Sequence, residues 1–134
     1  MINMSDGLRK FIFKGKSLEE LQKLSIEQFA ELIPSRERRS IKRGFSPSEK
    51  KLIEKVKKVK EGKFVKTQLR DMVVLPSFVG KRIGIHSGKE YKAVDIQPEM
   101  VGHRLGEFSQ TRATGKHSGP GIGATSSSKS VGQK

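Results

Sequence analysis

Three times before residue 50 a serine is followed three positions later by Glu or Gln: Ser17 with Glu20, Ser25 with Gln28, and Ser46 with Glu49. In a capping box the serine hydroxyl accepts from the N3 amide while the N3 side chain accepts from the serine amide, so this spacing marks helix starts. An apolar stripe follows each box. Leu18, Leu21 and Leu24 follow the first; Ile26, Phe29, Leu32 and Ile33 follow the second, which Pro34 ends. Leu52, Ile53, Val56 and Val59 follow the third, with Pro47 at the first helical position and Gly62 after the last predicted turn. In between, "SRERRSIKRG", 35–44, predicts another helix stopped by Gly44.

From about residue 72 the period changes. "MVVL" is a continuous apolar run, short enough for a buried strand. "RIGIH" alternates, Ser87-Gly88 signals a turn, and "EYKAVDI" resumes an extended pattern. This predicts a hairpin, extended to three strands by 72–75. "PSFVG" (76–80) and "PEMVG" (98–102) share a Pro-x-x-Val-Gly form, and each is expected to close its strand region with a single turn. Two copies are too few for a repeat architecture. Beyond Thr111 only Ile122 and Val131 are large and apolar. That composition cannot offset chain entropy, so disorder in isolation is expected. The fold class expected is therefore α+β: N-terminal helices, a small three-stranded sheet and an extended C-terminal tail. It divides into a basic helical extension (1–64), an α+β core (65–111) and a flexible Gly/Ser/Lys tail (112–134).

Charge narrows the function. The chain has 28 Lys+Arg against 14 Asp+Glu, a net charge of +14. Residues 1–35 and 71–111 are balanced, whereas 36–70 carry fourteen basic and four acidic groups, and 112–134 carry four basic groups and no acid. Concentrated blocks imply a polyanion, most commonly nucleic acid. An anionic membrane would call for a basic helix with a broad Trp, Phe and Leu face; the basic block has no Trp and only Phe45 and Phe64. The 35–44 helix presents Arg36, Arg38, Arg39, Lys42 and Arg43 around Ile41 alone, a polar helix that buries little by itself. On the next helix Lys50, Lys51, Lys57 and Lys58, with Lys55 and Lys60, could follow a phosphate backbone.

Other chemistries lack their residues. No cysteine is present, which excludes disulfides and cysteine-based zinc sites. No segment has signal-peptide or transmembrane length, so a soluble intracellular protein is expected. "GPGIGA", 119–124, has neither Walker nor dinucleotide-fingerprint spacing. Its glycines, with Lys116 and His117, suit a tail lying close to nucleic-acid backbones. His86, His103 and His117 stand apart in sequence, so no metal site or catalytic triad is expected. A helix-turn-helix DNA binder is the alternative, with Gly44 in the turn. "SPSEKK" offers Ser and Lys where base-reading residues would start the second helix.

"SGKEYKAVDIQPEMVGHRLGEFSQT", 87–111, resembles the universal small-subunit ribosomal protein family nineteen, called fifteen in older eukaryotic naming. Ser87-Gly88-Lys89, Ile96, Val101-Gly102, Leu105-Gly106-Glu107-Phe108 and Thr111 stand at the family spacing. "VKTQLRDMVVLP", 65–76, is similar to the family core, and "IPSRERRSIKRG", 33–44, and "GPGIGATSSS", 119–128, resemble its archaeal–eukaryotic branch. The resemblance implies a structural, non-catalytic protein without cofactor, metal or small-molecule substrate, bound to rRNA in the subunit head beside the family thirteen protein. It implies rRNA contacts for Lys66, Thr67, Arg70, Lys81, Arg82, Lys89, His103 and Arg104, with Thr111, Arg112, Lys116 and His117 beginning an RNA-threading tail. Gly119, Gly121, Gly123 and Lys129 would then approach the decoding site and tRNA. The implied location is the cytoplasmic ribosome, with a nucleolar or nuclear assembly stage if the source is eukaryotic.

Overall fold

All three capping boxes form. In the computed structural model, which describes residues 10–115, Ser17, Ser25 and Ser46 each accept from the N3 amide while Glu20, Gln28 and Glu49 accept from the serine amide. The helices they start are α1 (Leu18–Lys23), α2 (Ile26–Leu32) and α4 (Pro47–Lys58). The polar helix α3 (Ser35–Lys42) lies between them and ends on Gly44 at φ +88°, a left-handed stop that an L side chain rarely adopts.

Before α1 the chain makes a small hairpin, β1 (Ile12–Phe13) with β2 (Lys16–Ser17). Its two-residue loop, Lys14-Gly15, has φ +51° and +79°. Two positive values match the twist of a tight hairpin. This hairpin is absent from the sequence-based expectation.

The second sheet has the order β3-β4-β5. β4 (Arg82–His86) and β5 (Tyr91–Asp95) form the expected antiparallel hairpin, closed at Ser87, whose amide and hydroxyl both donate to the Glu90 carbonyl. The third strand differs from expectation. It is β3 (Phe64–Thr67), parallel to β4, with Val65 opposite Ile83 and Thr67 opposite Ile85. Parallel neighbours need a crossover of a dozen or so residues, and 68–81 supplies it.

The predicted strand at 72–75 instead lies in the interior of that crossover. Met72, Val73, Val74 and Leu75 are all buried. Four consecutive apolar residues are what a segment covered on every side requires, whereas β3 alternates exposed and buried as a strand with one wet face does. α4 also stops earlier than expected, at Lys58. Gly62, at φ +84°, serves the turn that sends the chain back into β3.

Both Pro-x-x-Val-Gly copies form the expected single turn, at Pro76–Phe78 and Pro98–Met100. Their relation extends further. The amides of Gly80 and Gly102 donate to Ile96 and Val74 respectively, and those of Ile96 and Val74 donate to Lys81 and His103. Val73 bridges Arg104 as Asp95 pairs with Arg82. "MVVLPSFVGKRIG" and "VDIQPEMVGHRLG" are thus two copies of one element that exchange backbone bonds about a local pseudo-twofold.

One apolar cluster joins Leu21, Phe29 and Ile33 of the helices to Phe78, Ile83, Ile85, Val101 and Leu105. Glycine 106 sits where Arg70 presses on the backbone: an added Cβ would lie 3.1 Å from both the Arg70 carbonyl oxygen and its Cβ.

Candidate nucleic-acid interface

The cations named from sequence separate into two populations. Arg36, Arg39, Lys42 and Arg43 are exposed, as are Lys50, Lys51, Lys57 and Lys58. α3 buries only Ile41, and α4 turns Leu52 and Val56 inward, so the remaining faces of both helices carry the charge outward. Arg36, Arg39, Lys42 and Arg43 line an open depression of about 680 Å³ with Ser35 and Arg38. Lys66, Arg82, Lys89, His103, Thr111 and Arg112 are likewise exposed. A second depression, about 370 Å³, gathers Lys51 and Lys55 of α4 with Lys66, Gln68 and Tyr91. A third, about 240 Å³, gathers Lys60, Lys63, Lys81 and Arg82.

Four cations bond inward. Arg38 donates from Nε to Ala30 O at 3.2 Å and from Nη2 to Ile33 O at 3.1 Å, which satisfies carbonyls at the end of α2. Arg70 donates to His86 O at 2.6 Å, Gly106 O at 2.8 Å and Ser109 O at 2.6 Å. It ties β4 to the end of the second copy. Arg104 donates to Glu37 of α3, to Asp71 O at 2.9 Å and to Ser40 Oγ at 3.0 Å. Lys81 donates to Val59 O at 3.3 Å, at the end of α4. Thr67 is buried, and its hydroxyl accepts from the Leu69 amide at 3.1 Å. Charge counting cannot separate these from the free cations, because the partners are 16 to 67 residues away for Arg70, Arg104 and Lys81.

Lys116, His117, Gly119, Gly121, Gly123 and Lys129 lie outside the described residues.

Among the described residues there are two arginine–carboxylate ion pairs, Arg82–Asp95 at 2.6 Å and Arg104–Glu37 at 3.4 Å, and a His103–Glu107 contact at 2.8 Å that is ionic only when the imidazole is protonated. None uses a cation from the 36–70 block. The hydrogen bond from Arg82 holds the Asp95 carboxyl below the usual aspartate range, opposed in part by desolvation and aided by the charge of Arg82. The same bond raises Arg82 above the ordinary arginine value.

Two residues that charge reasoning passed over stand on the wet face of the second sheet: Phe64, 42% exposed, and Tyr91, 36% exposed. Reading "FVKT" as an alternating strand would have placed Phe64 and Lys66 on one face.

No helix among the described residues is long and apolar enough to cross a membrane. Over residues 39–117 the sequence matches the family model of Ribosomal protein S19.

Proposed function

We propose that the unpaired, exposed cations of α3 and α4 are the principal rRNA contacts of this chain, which belongs to the ribosomal protein S19 family and is thus a small-subunit ribosomal protein that binds rRNA. The observation that carries the proposal is the absence of any ion pair from the 36–70 cations among the described residues, although that block holds most of the excess charge. Cations left without a carboxylate on their own protein are matched by phosphate in the complex. Arg36, Arg39, Lys42 and Arg43 form one contact surface, and Lys50, Lys51, Lys57, Lys58 and Lys66 the other. Arg82, Lys89, His103, Thr111 and Arg112 extend it. Arg38, Arg70, Arg104, Lys81 and Thr67 act chiefly by holding the backbone that presents the rest. Family membership favours rRNA over duplex DNA and a structural over a catalytic role.

The finer reading rests on the resemblance. We assign 1–64 to basic anchoring, 65–111 to the family core, and 112–134 to a tail reaching the decoding region and tRNA, beside the family thirteen protein in the head. Assembly in a nucleolus follows if the source is eukaryotic.

Binding to a small-subunit rRNA fragment across a salt series tests the proposal. Replacing Arg39, Lys42 and Arg43 with alanine lowers the slope of log K against log salt by about 2–3, at roughly 0.7–0.9 per lost phosphate contact. An unchanged slope would place α3 away from RNA.

A further inference from the structure

The side of the second sheet that faces away from the helices carries two aromatic rings and a small-residue floor. Alternation and register put Phe64 and Lys66 of β3, Arg82, Gly84 and His86 of β4, and Tyr91, Ala93 and Asp95 of β5 on that side. Phe64 leans over Gly84, where an added Cβ would come within 2.9 Å of its ring. Gly84 opposes Ala93 on the next strand, so the Phe64 ring lies over a floor of small residues in the middle of the face. Tyr91 stands at the far corner, edge-on to His86 with ring centres 4.8 Å apart. Its hydroxyl accepts from Gln68, and Lys66 Nζ lies 5.6 Å from its ring centre.

Exposed aromatics on an open sheet are costly in water, and the surrounding charge says what covers them. On the face itself the one carboxylate, Asp95, is bound by Arg82. Two net-basic depressions flank it, with Lys51, Lys55 and Lys66 on one side and Lys60, Lys63 and Lys81 beside a single free carboxylate, Glu61, on the other. Rings between cation rows suit unpaired nucleotides, whose bases stack while their phosphates track the lysines. A duplex keeps its bases stacked on each other and offers mainly backbone and 2′-hydroxyls. A protein partner would meet a surplus of positive charge around a small apolar centre.

We propose that this face is a stacking platform for a short unpaired run of RNA, with one base on Phe64 and one on Tyr91. Two strand spacings across the sheet and four residues along it put the two positions about 16 Å apart, so the run spans more than two adjacent nucleotides. Lys66 covers the Tyr91 ring in the free chain and shifts to a phosphate when a base takes its place. The inference rests on the rRNA-binding reading and adds the form of RNA and two residues that charge alone does not indicate.

Tyr91 is the only tyrosine and the chain has no tryptophan, so its intrinsic emission reports on the platform directly. With the full chain, a single-stranded oligouridylate quenches Tyr91 emission and an RNA duplex at equal phosphate concentration does not. Phe64→Leu and Tyr91→Leu each weaken oligouridylate binding about 5- to 150-fold, the range expected for one lost stack, with the salt slope and duplex affinity unchanged. Tyr91→Phe keeps the affinity. Gly84→Ala, which displaces the Phe64 ring, weakens it without touching a cation. Wild-type emission indifferent to oligouridylate, or leucine variants that bind it normally while an rRNA fragment still binds, would overturn the platform and leave rRNA binding standing. Crosslinking of Tyr91 to a protein rather than to RNA in assembled subunits would also overturn it. Failure of the wild-type chain to bind any rRNA would instead remove the reading beneath it.

Discussion

The two Pro-x-x-Val-Gly copies share a backbone and differ in what was built around them. In the first, Gly80 is exposed, with no atom within 4 Å of where a Cβ would sit. In the second, Gly102 is buried, with Ile33 and Phe13 at 3.3 and 3.5 Å from that position. The equivalent arginines follow suit. Arg82 reaches across the sheet surface to Asp95, with side chains 50% and 60% exposed. Arg104 has Val73 opposite it, and its carboxylate comes from Glu37 on α3, with side chains 27% and 16% exposed. One motif therefore yields an outward cation and an inward one. The neighbours, more than the motif, decide which arginine stays at the surface and which ties elements of the protein together.

The largest expected effect separates those arginines. Arg104→Ala strands a half-buried Glu37 and frees the Asp71 carbonyl, and costs about 2–4 kcal/mol. Arg82→Ala costs little, because its pair is solvent-exposed and screened. Thermal unfolding distinguishes them, since each kcal/mol moves Tm by about 4 °C in a chain between the 100- and 150-residue classes. Equal losses would break the comparison.

The paired glycines come next. Gly106→Ala drives a methyl against the Arg70 carbonyl oxygen and costs about 1–3 kcal/mol by denaturant unfolding. Gly84→Ala meets only the exposed Phe64 ring, which can swing aside, and costs less. The reverse order would mean that the first copy is the rigid one.

Acid titration gives the smallest effect. The folded-state pKa of Asp95 lies below its unfolded value. The contribution of its pair with Arg82 is therefore full above the ordinary aspartate range, near pH 4, and lost as pH falls through the folded value. Asp95→Asn flattens stability against pH in that acid window, its small cost being present at neutrality and vanishing below the folded value. An Asp95 carboxyl resonance titrating at or above the ordinary value would contradict the pairing.

Much of this architecture is legible in sequence because its causes are local. A serine with Glu or Gln three residues on, followed by an apolar stripe of helical period, starts each capped helix, and Gly44 and the two Pro-x-x-Val-Gly turns depend on their own φ angles. The Val-Val-Leu run is ambiguous for a physical reason: a buried connection and a buried strand need the same residues. Phe64–Thr67 is the strand because Ile83 and Ile85 lie beside it, a fact of the crossover and not of those four residues. Site residues divide the same way. Lys50, Lys51, Lys57 and Lys58 could be placed on a wet helix face from periodicity alone. Arg38 and Arg39 are neighbours of identical chemistry, and only the position of α2 shows that the first caps a helix end while the second stays free.

The unpaired cations of α3 and α4 are proposed to find their counter-charge on the ribosome. Amine reactivity of Lys42, Lys50, Lys51, Lys57 and Lys58, measured in the free chain and in assembled small subunits, tests it most directly. Strong protection of these amines on assembly is the predicted result. Equal reactivity in both states would contradict it.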